Sequence, residues 1–392
     1  MAKPLDGVKI VDLTSVVMGP YATQTLGSMG ADVVKVEGPE GDPTRGIGPA
    51  RSRGMGALFL NMNRNKRSIV LDLKEPRDRD ALLTLCETAD VLVSNIRPAA
   101  MERLGITYEA ASARNPRLIF VNLVGFDQRG PYASRPAYDD LVQGLVGLPS
   151  LVAQAQGGDP AYVPLTIADH VAGLCAVSCI SAALFHRTRT GKGEKLVVSM
   201  FEALAEVVLS SHQQGMSFEP PLGAAGYERL LTPQRRPYRT LDSHVCLLLY
   251  TTKHWRSFLH LVGKGELFST DERFASMESR NAHISELYAF VAEEVAKRTT
   301  NEWIEMCSAH DIPSAPLNDL QQLMQDPHLR AIGFYREFEH PSEGRLVSAT
   351  APHAWSETPA DPGRHAPRLG EHSAEVLSEI GQTAARDPVG MR

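Results

Sequence analysis

An ionisable pair, Asp169 and His170, stands directly in front of a run, residues 171–185, in which no residue carries a formal charge. A carboxylate at the head of such a run can do one of two things. As a helix cap it accepts hydrogen bonds from the unpaired backbone N–H groups of the first turn. As a nucleophile it must be deprotonated, dry and fixed in direction, and the positive end of a partly buried helix favours all three. Asp is a favoured capping residue, so the local pattern leaves both readings open. A helix built from Ala, Gly, Ser, Cys, Val, Ile and Leu on every side has no solvent face and is expected to be buried.

Other motifs narrow the chemistry. The turn after the strand-like VKIVDL (residues 8–13) is TSVVMGPYAT, which lacks the G-x-G-x-x-G of a dinucleotide site, although Glu37 closes the next strand where a ribose-binding acid would sit. TGKGE (residues 190–194) follows a helix and lacks the upstream glycine of a P-loop; it reads as a helix C-terminus with Gly191 in the turn. There is no G-x-S-x-G elbow and no H-E-x-x-H. The cysteines Cys86, Cys175, Cys179, Cys246 and Cys307 form no CxxC pair, so they read as reduced structural thiols and no metal site is expected. Cations cluster where strands and helices meet: Lys66, Arg67, Lys74, Arg97 and Arg103. In an open parallel sheet such a set can hold a phosphorylated ligand, while each residue alone reads as solvated rim.

The elements that would position these residues follow from periodicity. VKIVDL, residues 18–30 and ADVVKVE make a βαβ unit, and SIVLDLK, ADVLVSNI and RLIFVNLVGF continue as strands separated by helices, including one over residues 101–116. That alternation predicts a parallel sheet with helices on both faces. Residues 216–240, rich in Pro, Gly and Arg, predict a linker or loop, and HVCLLLYTT opens a smaller α/β domain. The expected division is 1–215 for the large domain, 216–330 for the linker and small domain, and 331–392 returning to the large domain. The 392 residues carry a net charge of −6, with 43% hydrophobic and 22% charged residues, which suits a globular chain and disfavours nucleic-acid or anionic-membrane partners. No window reaches roughly 18 uninterrupted apolar residues, and the N-terminal stretch has no signal-peptide h-region. The expectation is a cytoplasmic protein.

PLDGVKIVDLTSVVMGPYATQTLGSMGADVVKVE (residues 4–37), GDPTRG, NRNKRSIVLDLK, ADVLVSNIRPAAMERLG, GPYASRPAYDD, TGKGEKLVVSMFEA and PRLGEHSAEVLSEIG occur in an order that resembles the class III (CaiB/BaiF) CoA-transferase family. The resemblance runs from residue 4 to about 380 and is thinnest between about 205 and 300. It implies a Rossmann-like large domain built from both chain ends, a smaller α/β domain, and an interlocked, ring-like homodimer. It places the catalytic carboxylate on Asp169, which would form a mixed anhydride and then an aspartyl-CoA thioester. Coenzyme A or its acyl thioester enters as substrate, with a carboxylic acid as acceptor and no tightly bound cofactor. The implied CoA-binding positions are Val17, Met18, Leu71, Asp72, Leu73, Lys74, Asn95, Ile96, Arg97, Arg103, Arg135, Pro136, Ala137 and Tyr138.

The chain departs from the family pattern at three places. Gly38 stands where formyl-CoA transferases have a cation, Val17 replaces a polar residue, and only Gly223 and Gly226 are candidates for the glycine loop that covers the intermediate. An α-methylacyl-CoA racemase on the same fold is the alternative. Its G-H-D motif aligns with Ala137-Tyr138-Asp139, and a Tyr, ordinarily titrating at about 10, is a poor base. A nicotinamide-dependent oxidoreductase is disfavoured by the missing glycines. Arg and Tyr residues between 225 and 240 suit recognition of a second carboxylate, which points to a dicarboxylate such as succinate.

Overall fold

In the computed structural model, which describes residues 3–358 and 363–382, six parallel strands form one sheet. They are β1 (Lys9–Leu13), β2 (Asp32–Glu37), β3 (Lys66–Val70), β4 (Val91–Ser94), β5 (Ile119–Val124) and β6 (Lys195–Ser199). Their order is β3-β2-β1-β4-β5-β6. Val11 of β1 faces Val34 on one side and Leu92 on the other, and such runs of Val, Ile and Leu, covered on both faces, are what a parallel sheet demands. The order reverses between β1 and β4. In an open sheet that reversal leaves a crevice beyond the carboxyl ends of the strands, where ligands bind.

The helix expected over residues 101–116 is two helices, Pro98–Leu104 and Tyr108–Arg114. Gly105 ends the first in the left-handed region at φ 70°, and the Thr107 hydroxyl caps the second by accepting from the Ala110 N–H. Gly191 closes the long helix Ile167–Thr190 in the same way, as its sequence context predicts.

That long helix corrects one expectation. With 24 residues it is long and apolar enough, by length and composition, to match a membrane span. It is also not buried all round. Ala168, Ala172, Gly173, Ala176 and Ile180 are buried, whereas Leu174, Ser178, Ala182 and Phe185 form an exposed stripe along the other side. The buried side packs as a core helix does: a Cβ added to Gly173 would stand 2.9 Å from the Met18 carbonyl oxygen and 3.2 Å from the Tyr21 ring. Glycine inside a helix costs roughly 0.5–1 kcal/mol relative to Ala, and here it permits a close approach to the helix Met18–Ser28.

The end of the described C-terminal segment packs against β3 at the edge of this sheet. Ser68 O accepts from His372 N–H at 2.9 Å, and Arg67 forms ion pairs with Asp32 of β2 and with Glu375 and Glu379 of the last helix, Ser373–Glu379. A hairpin, β10 (Tyr335–His340) with β11 (Gly344–Ala349), is tied to the loop near residue 51, where Glu343 accepts from the backbone N–H groups of Arg51 and Ser52. Residues 359–362 and 383–392 of the expected closing segment, and Met1 and Ala2, lie outside the described residues.

The chain divides into two compact units. One draws on residues within 1–146, 164–206 and 328–392, the other on 147–163 and 207–327. The second unit thus takes in residues 147–163 and 207–215 as well as the expected central stretch. It holds a small antiparallel sheet of β7 (Tyr238–Arg239), β8 (His244–Leu247) and β9 (Ser314–Pro316), and a core in which Trp255, Phe258 and Trp303 are fully buried. Phe258 stacks on Trp303 at 5.8 Å between ring centroids.

Candidate active site

Asp169 lies in the first turn of the helix Ile167–Thr190 but does not cap it. The N-cap position is Thr166, whose side chain makes no capping bond. The carboxylate instead lines a cavity together with Met18, at the start of another helix that has no side-chain cap of its own, and the Met18 N–H favours its ionised form. Asp139 supplies what a cap would: its Oδ1 accepts from the Asp169 N–H at 3.1 Å, and its Oδ2 from Gln143 Nε2 at 2.7 Å. Two carboxylates are therefore brought close in a partly dry place. Burial pushes the Asp169 carboxyl up to about 6, and the charge of Asp139 adds to it; His170 and the Met18 N–H pull the other way. At neutral pH Asp169 remains ionised yet poorly solvated, the state a carboxylate nucleophile needs. The His170 ring, edge to face with Tyr21 at 4.7 Å, bonds through Nδ1 to Thr166 O.

The cavity that Asp169 lines measures about 540 Å³ and sits beyond the carboxyl ends of β1, β4, β5 and β6. Met18, Asn95, Arg97, Arg103, Arg135, Ala137 and Tyr138 line the same cavity. Leu71, Asp72, Leu73, Lys74 and Ile96 line a second cavity of about 320 Å³ beyond β1 to β4, and Ser15 borders both. The two remaining positions implied by the resemblance do not line either cavity. Val17 is buried at the N-cap of its helix, and Pro136 is exposed between two lining residues.

Three of the cations are available to a ligand. Among the described residues, the side chains of Lys74, Arg97 and Arg103 have no ion pair or hydrogen bond. Arg135 lies over the Tyr132 ring at 3.9 Å. The other cations singled out by position are not available. Lys66 is fully buried against Asp12 at 2.9 Å, and Arg67 belongs to the ion pairs with Asp32 and the last helix, because β3 starts at these residues and so places them at the sheet end away from the crevice. Glu37, where a ribose-binding acid would sit, is paired with Arg45 at 2.7 Å.

The turn Thr14–Val17 between β1 and its helix is held from several sides. Asn95 grips Ser15 reciprocally: its Oδ1 accepts from Ser15 N–H at 3.0 Å and its Nδ2 donates to Ser15 O at 2.8 Å. Lys35 Nζ donates to Thr14 O at 2.8 Å and to Asp42 Oδ2 at 2.9 Å, and Asp42 Oδ1 accepts from Val16 N–H at 3.3 Å. Val16 has φ 72°, a left-handed conformation that costs a β-branched residue about 1–2 kcal/mol. At β5 the chain comes equally close: a Cβ on Gly125 would meet the Ala137 Cβ at 2.1 Å, so the loop carrying Arg135 to Tyr138 rests directly on this glycine.

Sequence reasoning left out Asp139, Ser15, Val16, Gln128 and Met200 as site residues. Asp139 alone carried a usable signal, as an acid opening a helix directly after a loop that ends in Tyr138. Gly223 and Gly226 both lie in the second unit. The backbone of Gly223 packs on Gly215, and Gly226 N–H donates to His212 O at 2.7 Å.

Comparison with known proteins shows the family. Residues 5–373 match the model of CoA-transferase family III. The chain is 33% identical to a succinate–glutarate CoA-transferase of Agrobacterium fabrum, over 96% of each protein. It is 31% identical to a formyl-CoA:oxalate CoA-transferase of Rhodopseudomonas palustris, over 97% of this chain and 94% of that one. A crystal structure of a CaiB/BaiF family protein from Brucella suis superposes with a TM-score of 0.81 at 30% identity, covering 97% of this chain and 100% of that one. A carboxylate set in a crevice of a six-stranded parallel sheet, together with a match along nearly the whole chain, makes this protein a CoA-transferase of family III.

Proposed function

We propose that the protein moves CoA from an acyl-CoA donor to a carboxylic acid through Asp169, with a dicarboxylate among its acids. The observation that carries the proposal is the Asp169 carboxylate on the wall of a cavity that also presents Arg97 and Arg103 without partners. Lys74, Arg97 and Arg103 supply positive charge for the phosphates of CoA, and the apolar wall of Leu71, Leu73 and Ile96 suits the flat adenine.

The donor thioester enters with its carbonyl carbon facing Asp169. A carboxylate oxygen attacks that carbon and expels CoA as thiolate, leaving an acyl-aspartyl anhydride. The thiolate then attacks the aspartyl carbonyl, frees the first acid as its carboxylate and leaves an aspartyl-CoA thioester. The acceptor carboxylate attacks this thioester, again expelling thiolate and forming a second anhydride. Attack of the thiolate on its acyl carbon yields the new acyl-CoA and regenerates the Asp169 carboxylate. No proton is consumed in the cycle. Each intermediate would be lost to water in an open site, so the partial burial of Asp169 serves the chemistry as well as its pKa.

The acid class rests on two supports. One relative is named for succinate and glutarate and the other for oxalate, all dicarboxylates, beside formyl-CoA in the second. Within residues 225–240, Arg229 is bonded to the Tyr288 hydroxyl, whereas the side chains of Arg235 and Arg236 have no partner among the described residues; both residues are exposed and border a cavity of about 470 Å³. A homodimer is supported by the exposed apolar side chains of Leu174, Phe185, Val197, Val207 and Leu209, and a cytoplasmic location by five free cysteines.

The test is to incubate the protein with a panel of acyl-CoA esters that includes succinyl-CoA, quench with hydroxylamine or borohydride, and map the peptide spanning residues 164–186 by mass. Modification of Asp169 would support covalent transfer and identify the donor. Absence of any adduct, with solvent deuterium entering the α-carbon of a 2-methylacyl-CoA, would move the protein to the racemase alternative.

A further inference from the structure

We propose that Arg135 selects dicarboxylic acids: its guanidinium takes the carboxylate of the acid that does not react, while Asp169 handles the one that does. The inference deepens the function proposed above and rests on it. Arg135 and Asp169 line the same cavity of about 540 Å³. The other arginines of that cavity have a different place. Ile96 and Leu104 line the neighbouring cavity, whereas Arg97 and Arg103, next to them in the chain, line the one that holds Asp169. These two arginines therefore stand at the junction of the cavities, where a ligand that spans both puts its phosphates. Arg135 comes from the loop after β5, and no residue of β5 or of that loop lines the first cavity. It stands away from the junction, with the acyl end of a bound thioester rather than its nucleotide end.

The loop is braced to present this side chain. The Arg135 N–H donates to Tyr132 O at 2.9 Å, closing a tight turn, and the guanidinium lies 3.9 Å over the Tyr132 ring. Tyr132 stands edge-on to Phe126 at 5.6 Å between ring centroids, and Phe126 is buried. Ala137 on Gly125 pins the other end of the loop. Stacking occupies the flat face of a guanidinium and leaves its in-plane N–H groups, a fork that matches a carboxylate. Among the described residues no carboxylate of the chain fills that fork. Asp127 is paired with Arg129 at 2.6 Å, and Asp139 is held by Gln143 and by the Asp169 N–H. Arg235 and Arg236 border a cavity that has no lining residue in common with that of Asp169. Arg135 is thus the cation that shares a cavity with the reacting carboxylate without standing at the junction.

The test compares two acceptors of equal chain length, glutarate and pentanoate, in the full-length wild type, Arg135→Gln and Arg135→Lys, with succinyl-CoA as donor. In a two-stage transfer kcat/KM for the acceptor reports only the stage that the acceptor enters, so the carboxylate of the donor does not blur the comparison. Arg135→Gln should lower kcat/KM for glutarate relative to pentanoate by about 10- to 100-fold, the scale of a lost hydrogen bond between charged groups. Arg135→Lys should fall between, because an ammonium keeps the charge and loses the fork. The Kd of free CoA, measured by calorimetry, should stay close to that of the wild type. Equal losses with both acceptors, together with weakened binding of free CoA, would make Arg135 a phosphate contact and overturn the inference. An unchanged ratio between the acceptors would overturn it as well. Failure of the underlying reading looks different and does not involve the variants: wild-type protein that uses pentanoate as readily as glutarate, or that forms no Asp169 adduct with any acyl-CoA.

Discussion

Two sets of cations stand along the first four strands of the sheet, and they do opposite things. Lys35, Arg45 and Lys66 are buried and matched to Asp42, Glu37 and Asp12 at 2.7 to 2.9 Å. Lys74, Arg97 and Arg103 stand at the cavity walls with no protein partner. A charge taken out of water must be paired and hydrogen-bonded, so the first set can only serve the fold. A charge left beside a cavity keeps its Coulomb attraction for a ligand. Both sets draw on Lys and Arg, and the difference lies in whether a carboxylate of the chain reaches each one first.

The contrast can be broken from either side. The largest effect is expected at the anion between them: Asp169→Asn should fold with an unchanged melting temperature yet lose transfer by on the order of 10⁴-fold or more, the scale of removing a covalent nucleophile. Steady-state kinetics with calorimetry checks both halves, and turnover near wild type would end the assignment. Next is the buried set. Lys66→Met leaves Asp12 fully buried without its ion pair and should cost about 3–5 kcal/mol in urea unfolding; a loss below about 1 kcal/mol would mean that the pair is not a fold determinant. Smaller is the free set. Arg97→Ala or Arg103→Ala should raise the KM for the CoA ester by about 10- to 100-fold, the scale of a lost charge-assisted contact, while urea stability stays within about 0.5 kcal/mol. The penalty should shrink as ionic strength rises, because exposed charges are screened. An Arg97 or Arg103 variant that loses stability instead would place that residue with the buried set.

The smallest effect sharpens the picture at the nucleophile. Asp169 must be ionised to attack, and its carboxyl is pushed up to about 6, so activity should fall as pH drops through that value. Asp139→Asn removes the neighbouring negative charge and should move the acid limb of kcat/KM to lower pH. A limb that stays in place would show that burial alone raises Asp169. A limb that moves up would show that Asp139 acts through geometry rather than charge.

The sequence by itself determined the strands and their class. Continuous apolar runs such as VKIVDL and RLIFVNLVGF bury both faces, and their alternation with helices requires crossovers, so a parallel sheet is legible from period and composition. It also marked Asp169, because a carboxylate ahead of an uncharged run stands out whatever the fold. The single helix expected over 101–116 was misread because Gly105 falls inside an otherwise helical pattern, where its left-handed turn is not visible from periodicity. Other features were decided by tertiary structure alone. Lys66 and Lys74 flank the same short strand and look alike in sequence; whether each meets a carboxylate depends on partners up to 54 residues away, as Lys66 and Asp12 are. Asn95 meets Ser15 across a longer separation, 80 residues. Even the apolar stripe of Leu174 and Phe185 was invisible in a helix that looked uniformly buried. Local propensity acts between neighbours in the chain, whereas pairing, dryness and the direction of an N–H are set by groups that only folding brings within hydrogen-bond reach.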